Sequence, residues 1–160
     1  MDPSQLSRPA ASRPSSPGST PRPPTPRPLR ETIPDVRQRI SGHSPYEPVF
    51  GFSRAVAAGD RVLVAGTAPV PPGGAPPPAG PYAQARLCLD LIGEALAKAG
   101  ASLDHVVRTR IYLTAAEHWE EVARAHGEIF ADIRPAATAV IVAGLLDPAW
   151  LVEIEAEAQL

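Results

Sequence analysis

Proline is the residue that most constrains the fold of this 160-residue chain, because its 21 prolines are concentrated in two stretches. Ten of them lie between Pro3 and Pro34, and five more lie between Pro71 and Pro78. Proline removes a backbone donor and interrupts both helices and central strands. Regular structure is therefore expected only in the segments that these two stretches leave free.

The first proline-rich stretch divides the chain into a tail and a body. Residues 1–30 contain five arginines and one acid, a net charge of +4, so the remainder carries −6 within the total of −2. Residues 1–36 have almost no apolar clusters to offset the entropy of ordering, so we expect a disordered tail there and one domain over 37–160. The tail is interpreted either as a spacer or as a basic arm for nucleic acid or membrane.

Composition excludes several classes of protein. The single cysteine, Cys88, cannot form an intramolecular disulfide, which argues against a disulfide-stapled secreted scaffold. No apolar run approaches the ~20 residues of a membrane helix, and residues 1–30 lack the apolar segment of a secretory signal. We therefore predict a cytoplasmic protein without a membrane partner. The four histidines show no i, i+3 or i, i+4 pair, so no metal site is expected.

Hydrophobic periodicity predicts the element order β-β-α-β-α-β-β. The two expected helices span 81–99 and a segment that begins at Thr114, where Thr114 and Glu117 form a capping box. The proline-rich segment over 66–80 is predicted to be a loop. This order is typical of an α+β fold in which two helices pack on one face of a sheet. The expected strands span 50–57, 61–65, 104–113, 137–143 and 150–158.

The same periodicity predicts which side chains are buried. In the first helix the apolar stripe includes Cys88 and Leu91, and we interpret Cys88 as a packing residue rather than a nucleophile. In the second helix the stripe includes Trp119 and His126, and His126 is interpreted as a core histidine.

One face of the predicted sheet has no helix to cover it. In the strand over 104–113, Val107 and Thr109 are expected to face the helices, and Arg108, Arg110 and Tyr112 the opposite side. This uncovered face is either solvated or buried against another copy of the chain. The last strand also alternates strictly and places three acidic residues on one side: Glu153, Glu155 and Glu157.

Four motifs, taken together in their order and spacing, resemble those of one protein family. They are Arg61-Val-Leu-Val-Ala-Gly66, Ala99-Gly-Ala-Ser-Leu-Asp-His-Val-Val-Arg-Thr109, Arg134-Pro-Ala-Ala-Thr138 and Val152-Glu-Ile-Glu-Ala156. They are similar to the strand ending in V-S-G, and to A-G-x-S-L-x-D-V-V-K-T, P-A-R-S and I-E-I-E-A, of the reactive-intermediate deaminase (Rid, or YjgF-type) family. The resemblance spans residues 50–160.

The resemblance implies a chorismate-mutase-like α+β fold and a barrel-forming homotrimer with small-molecule sites in the clefts between subunits. A neighbouring subunit would then cover the bare sheet face. The resemblance also implies a reaction, the hydrolysis of reactive enamines and imines derived from amino acids. This reaction releases ammonia and a keto acid and needs no metal or organic cofactor.

Three of the four polar positions in the family's site are apolar in this chain. The arginine of P-A-R-S, which holds the substrate carboxylate, corresponds to Ala137, and a methyl group cannot replace a bidentate guanidinium. The family's active-site tyrosine corresponds to Phe52, and the serine of V-S-G corresponds to Ala65. The glutamate that positions water persists as Glu153, which is the expected catalytic residue.

The missing arginine leaves the substrate anion without a partner unless another arginine supplies one. Arg54 and Arg110 are the candidates. An Arg110 on the uncovered face would pair either with a glutamate of the neighbouring strand or with a ligand carboxylate. We therefore predict a pocket between subunits in which Glu153 is catalytic and the substrate-binding residues are Phe52, Arg54, Gly66, Arg110, Ala137 and Thr138.

Three functions are compatible with these residues. The first is a hydrolytic deaminase of enamine or imine intermediates, with an altered substrate or reduced activity. The second is a non-catalytic trimer that binds a small ligand or acts as a regulator. The third, RNA binding or cleavage, is disfavoured because the charge of −6 on the body repels phosphate.

Overall fold

Six strands form one mixed sheet in the computed structural model, which describes residues 37–160. The tail predicted over 1–36 lies outside the described residues. The strands are β1 (Arg37–Ile40), β2 (Ala55–Ala58), β3 (Arg61–Thr67), β4 (Val106–Leu113), β5 (Ala136–Ile141) and β6 (Val152–Gln159). Their order across the sheet is β1-β2-β3-β6-β4-β5, and β4 and β5 run parallel while the other neighbours are antiparallel.

The helices are α1 (Glu47–Phe50), α2 (Pro81–Lys98) and α3 (Trp119–Phe130). Helix α2 begins with proline at its first position, where the missing N–H costs nothing, and is followed by Gly100 at φ +80°. It packs on β3, β6 and α3. The α+β fold and the predicted order of seven elements are confirmed, with β1 and α1 added before them. Within residues 37–160 no helix is long and apolar enough to cross a bilayer.

The hydrophobic core lies between the sheet and the two long helices. Strand β6 alternates as predicted, with Val152, Ile154, Ala156 and Ala158 buried. The buried face of α2 is rotated by one residue from the predicted apolar face. Leu89 and Leu96 are fully buried, whereas Leu91 is only half-buried. This rotation turns Leu91 out of the core, towards the candidate site.

A β-bulge changes the predicted faces of β4. Val106 pairs with Ala158 and Arg108 with Glu157, so Val107 is an extra residue opposite no partner. Val106 is therefore buried and Val107 is 49% exposed, the reverse of the prediction from strict alternation. Beyond the bulge the prediction is correct, because Thr109, Ile111 and Leu113 are buried.

The predicted start of the second long helix is wrong by five residues. The Thr114 hydroxyl lies 3.4 Å from the carbonyl oxygen of Leu151, so it ties the end of β4 to the start of β6 instead of capping a helix. A short 3-10 turn (Ala116–His118) follows before α3 begins. Trp119 is consequently at the first position of α3 and is 49% exposed rather than part of the buried stripe.

The segment before β2 was not predicted to contain regular structure at 37–49. Strand β1 pairs with β2, but only Ile40 of its four residues is buried, so the sequence carries no alternating signal. Helix α1 is a single turn that ends at Gly51, in the left-handed region at φ +76°. Residues 50–54 therefore form this helix end and a connection, and the strand expected from residue 50 begins at Ala55.

Candidate functional site

A cavity of about 580 Å³, named here the Glu153 cavity, lies among the segment before β2, strand β3, helix α2 and the start of β6. Its volume is within the range of small-molecule binding sites. Most of its wall is apolar, and its charged side chains are Arg54, Glu94, Lys98 and Glu153. The apolar side chains include Phe50, Phe52, Leu91, Leu146 and Trp150.

The carboxylate of Glu153 lies directly against the backbone of Gly66. A Cβ built on Gly66 would be 2.1 Å from Glu153 Oε1, so a side chain at position 66 would force the carboxylate to move. The pairing between β3 and β6 is irregular at the same place, between Val64 and Thr67. The glycine that ends the V-A-G motif therefore provides the space that the carboxylate of Glu153 occupies.

Glu153 differs from the two other glutamates of β6. Arg110 donates to Glu155 and, at 3.1 Å, to Glu157, and Glu157 also pairs with Arg61 at 2.7 Å. Glu153 forms no ion pair within the described part of the chain. Burial raises the pKa of its carboxyl, while the charge of Arg54 lowers it and Glu155 raises it further. Of the three carboxylates, Glu153 is the one that lies in the cavity and has no hydrogen-bonded cation among residues 37–160.

Arg54 is the cation of the cavity wall whose charge acts on this carboxylate. Its Nη2 donates to the carbonyl oxygen of Gly66 at 2.6 Å, and its guanidinium carbon lies 5.5 Å from the centre of the Phe52 ring. Burial lowers the pKa of Arg54, and the charges of Glu47 and Glu153 oppose that shift. Its Nε is buried and has no hydrogen-bond partner among residues 37–160. Arg54 is therefore a partly buried cation with donors that no residue of 37–160 uses.

The segment that carries α1 holds Arg54 in place. The Glu47 carboxylate accepts the backbone N–H of Gly42 at 2.9 and 3.1 Å. A Cβ on Gly42 would lie 2.8 Å from Glu47 Oε1 and 3.1 Å from Arg54 Cβ. Gly42 and Glu47 were not singled out from the sequence, because the segment has no periodicity and its only signals are two glycines and two prolines.

Four of the predicted site residues line the Glu153 cavity, and three do not. The four are Phe52, Arg54, Gly66 and Glu153. Arg110 forms ion pairs with Glu155 and Glu157, the first of the two alternatives predicted for it. Ala137 and Thr138 are exposed on β5, which lies at the sheet edge and is separated from β6 by β4. A pocket that unites both groups would require a second chain.

Of the two residues interpreted as packing residues, Cys88 lies in the core and His126 is partly buried. Cys88 is fully buried, and burial raises the pKa of its thiol. The Nε2 of His126 lies 3.0 Å from Thr109 Oγ1, its ring lies 4.6 Å from that of Phe130, and burial lowers its pKa. Within residues 37–160, no three His, Cys, Asp or Glu side chains converge where they would hold a metal ion.

Comparison with known proteins identifies the family. The family model described as Endoribonuclease L-PSP matches residues 42–160. The chain belongs to this family, which is the YjgF/Rid family. The match begins at Gly42, so it includes the segment that holds Arg54, the strands β2 to β6 and both long helices.

Individual relatives agree with this assignment. An uncharacterised protein of Streptomyces coelicolor is 40% identical over 121 residues, which are 76% of this chain and 90% of the relative. A YjgF/YER057c/UK114 family member from Mycobacterium tuberculosis is 44% identical, with a TM-score of 0.70 over 78% of this chain and 99% of that structure. TdcF of E. coli with bound serine is 25% identical, with a TM-score of 0.65 over 76% of this chain and 93% of that structure.

The contact between Gly66 and Glu153 gives a first prediction. Gly66→Ala is expected to destabilise the protein, because the added methyl group would displace the Glu153 carboxylate from its position against the β3 backbone, and Glu153→Ala should remove most of that penalty. A double-mutant cycle from urea unfolding should give a coupling free energy of about 0.5–3 kcal/mol.

The control for this cycle is Gly127→Ala in α3, where an added Cβ meets nothing within 4 Å. That change should stabilise the protein slightly, since alanine is the better helix former. A coupling free energy of zero between positions 66 and 153 would contradict the observed contact.

Proposed function

We propose that this Rid-type protein hydrolyses enamine or imine intermediates derived from amino acids, with Glu153 as the catalytic residue and Arg54 as the partner of the substrate carboxylate. The observation that carries the proposal is the presence of both side chains in one mostly apolar cavity. Neither side chain has a hydrogen-bonded charged partner within residues 37–160. The serine bound by TdcF supports an amino-acid-like ligand for the present chain.

Glu153 suits the role of general base in this reaction. Water adds to the C=N carbon, its proton passes to the Glu153 carboxylate, and the C=N electrons pass to nitrogen, which takes up a proton from solvent. The carbinolamine that results then loses its hydroxyl proton to solvent, its C–N bond breaks as nitrogen takes up the proton held by Glu153, and ammonia and a keto acid are released. A carboxyl whose pKa is raised by burial transfers protons more effectively near neutral pH than an ordinary carboxyl does.

Arg54 suits the role that the arginine of P-A-R-S has in the family and that Ala137 cannot fill. Its guanidinium is planar and always charged, and it presents five N–H donors, of which one Nη2 donor is used by the carbonyl of Gly66. A substrate carboxylate paired with Arg54 would hold the adjacent C=N carbon near Glu153. The positive charge of Arg54 would also stabilise the negative charge that develops at the reacting C=N group as water adds.

The proposed assembly is a homotrimer. The described surface contains large apolar side chains that are unusually exposed, including Ile141 at 60%, Trp119 at 49% and Val140 and Leu63 at 44%. Strand β5 is exposed along its whole length and has a free edge. Such a surface favours burial against another copy, and a trimer of the family type would bring Ala137 and Thr138 of one subunit towards the cavity of the next.

The second candidate function is binding without turnover. The apolar residues Phe52, Ala65 and Ala137 at three positions that are polar in the family favour it, since they remove hydrogen-bonding groups from the site. A ligand that raises the melting temperature and is recovered unchanged would favour this function over hydrolysis.

Loss of the Glu153 carboxylate is expected to reduce ammonia release by about 100-fold or more, the usual contribution of a general base. The measurement is ammonia release from freshly generated imino acids, beginning with 2-iminopropanoate, by wild type and by Glu153→Gln. Glu120→Gln, an exposed carboxylate on α3, is the matched control and should keep the wild-type rate.

Hydrolysis is the wrong assignment if no imino acid reacts faster than in buffer and Ala137→Arg does not raise the rate. In that case binding without turnover becomes the favoured function.

The pH dependence of kcat/KM gives a third prediction. Because burial raises the pKa of Glu153, the rate should fall on acidification at a higher pH than an ordinary carboxyl would give, since the protonated group cannot accept a proton. Arg54 lowers that pKa, so Arg54→Met should move the acid limb to still higher pH. Arg86→Met on the outer side of α2 is the control, and an acid limb unchanged in Arg54→Met would disprove the coupling.

The oligomeric state gives a fourth prediction. The protein should have three times the mass of one chain in light scattering after gel filtration. Ile141→Asp should lower that mass, because the charge would be buried in the interface. Ala97→Asp on the exposed side of α2 should leave the mass unchanged. A wild-type protein that elutes at the mass of one chain would show that the proposed trimer does not form.

A further inference from the structure

The Glu153 cavity is larger than a small imino acid requires. In a single chain its volume is about 580 Å³, the size of sites that enclose drug-sized ligands. Small side chains contribute to this width, since Ala65, Gly66 and Ala68 lie along one wall. A three-carbon substrate would leave most of the apolar wall in contact with water, which is unfavourable.

The wall separates a charged region from an apolar one. Arg54 and Glu153 approach each other through Gly66, which contacts both of them. Phe52 stacks near the guanidinium, and Phe50 packs edge-on against Phe52 with ring centres 6.0 Å apart. Phe50 is 83% exposed and Leu146 is 84% exposed, so apolar surface continues outward to the rim of the cavity.

The remaining charges of the wall do not call for a second anionic group on the ligand. Glu94 and Lys98 are exposed, lie one turn apart on α2 and have opposite signs. Together with Arg54 and Glu153 they give the wall no net charge. A ligand with one carboxylate is therefore matched by Arg54, whereas a second carboxylate would find only Lys98, which is exposed and lies one turn from the opposing charge of Glu94.

We propose that the Glu153 cavity selects imino acids with one carboxylate and a large apolar side chain, aromatic or branched aliphatic, over small ones such as 2-iminopropanoate. This inference rests on the proposed function for the chemical group that is hydrolysed. The ligand class rests separately on the size and polarity of the cavity. In this arrangement the carboxylate pairs with Arg54, the C=N carbon lies near Glu153, and the side chain packs on Phe50, Phe52 and Leu91.

Binding of the product keto acids tests the ligand class without requiring turnover. The probes are pyruvate, 4-methyl-2-oxopentanoate and phenylpyruvate, measured by calorimetry with the full-length protein. The two larger acids are expected to bind at least tenfold more tightly than pyruvate, a difference of about 1.4 kcal/mol at 25 °C. Equal affinities, tighter binding of pyruvate, or no binding of any probe would overturn the inference.

A variant that narrows the cavity links this preference to the wall. Ala68→Phe is expected to reduce the affinity ratio of phenylpyruvate to pyruvate at least tenfold, whereas Ala97→Phe on the exposed side of α2 should keep the wild-type ratio. A ratio that Ala68→Phe leaves unchanged would show that the acids bind elsewhere, and would also overturn the inference.

Rates separate this inference from the proposed function. Imines generated by an amino-acid oxidase from alanine, leucine and phenylalanine should be hydrolysed with kcat/KM at least tenfold higher for the two larger substrates. Hydrolysis of all three at equal rates would support the proposed function and overturn the substrate preference. Tight binding of the large keto acids without hydrolysis of any imine would support the ligand class and overturn the proposed function.

Discussion

The contact between Gly66 and the carboxylate of Glu153 is the constraint on which the site depends. The absence of a Cβ at Gly66 lets the carboxylate lie against the backbone of β3, and the carbonyl of the same residue accepts from Arg54 Nη2. One glycine thus holds an anion and a cation in a mostly apolar cavity. Burying either charge alone would be costly, and their mutual attraction offsets part of that cost.

The surroundings of β6 determine which of its three glutamates is available for chemistry. In the sheet register Glu155 lies opposite Arg110 and Glu157 opposite Arg108, whereas Glu153 lies opposite Tyr112. Cross-strand arginines therefore occupy two carboxylates in ion pairs on the sheet face, where such pairs contribute modestly to stability. The third carboxylate has no such partner and extends over Gly66 into the cavity.

The parts of the fold that could be predicted from the sequence are those with regular periodicity. The alternation of β6 and the long span of α2 follow from side-chain patterns that burial enforces along their whole length. The bulge at Val107 depends on pairing with β6, which no local pattern records. The site was predictable only in part, because Gly66 and Glu153 lie in recognisable motifs, whereas Gly42 and Glu47 lie in a segment without periodicity.

The choice between Arg54 and Arg110 illustrates why motifs alone cannot define this site. Both arginines lie within predicted strands, and only the partners that the fold gives them distinguish the two. Arg110 is neutralised by two carboxylates, but Arg54 has a buried Nε without a partner among residues 37–160 and lines the cavity. Arg54 lines the same cavity as Glu153 of its own chain. An arginine at position 137 would instead lie on β5, two strands away from the β6 strand that carries Glu153. With Arg54 at the Gly66 backbone in place of an arginine at position 137 on the sheet edge, one chain therefore holds both charged groups of the proposed site.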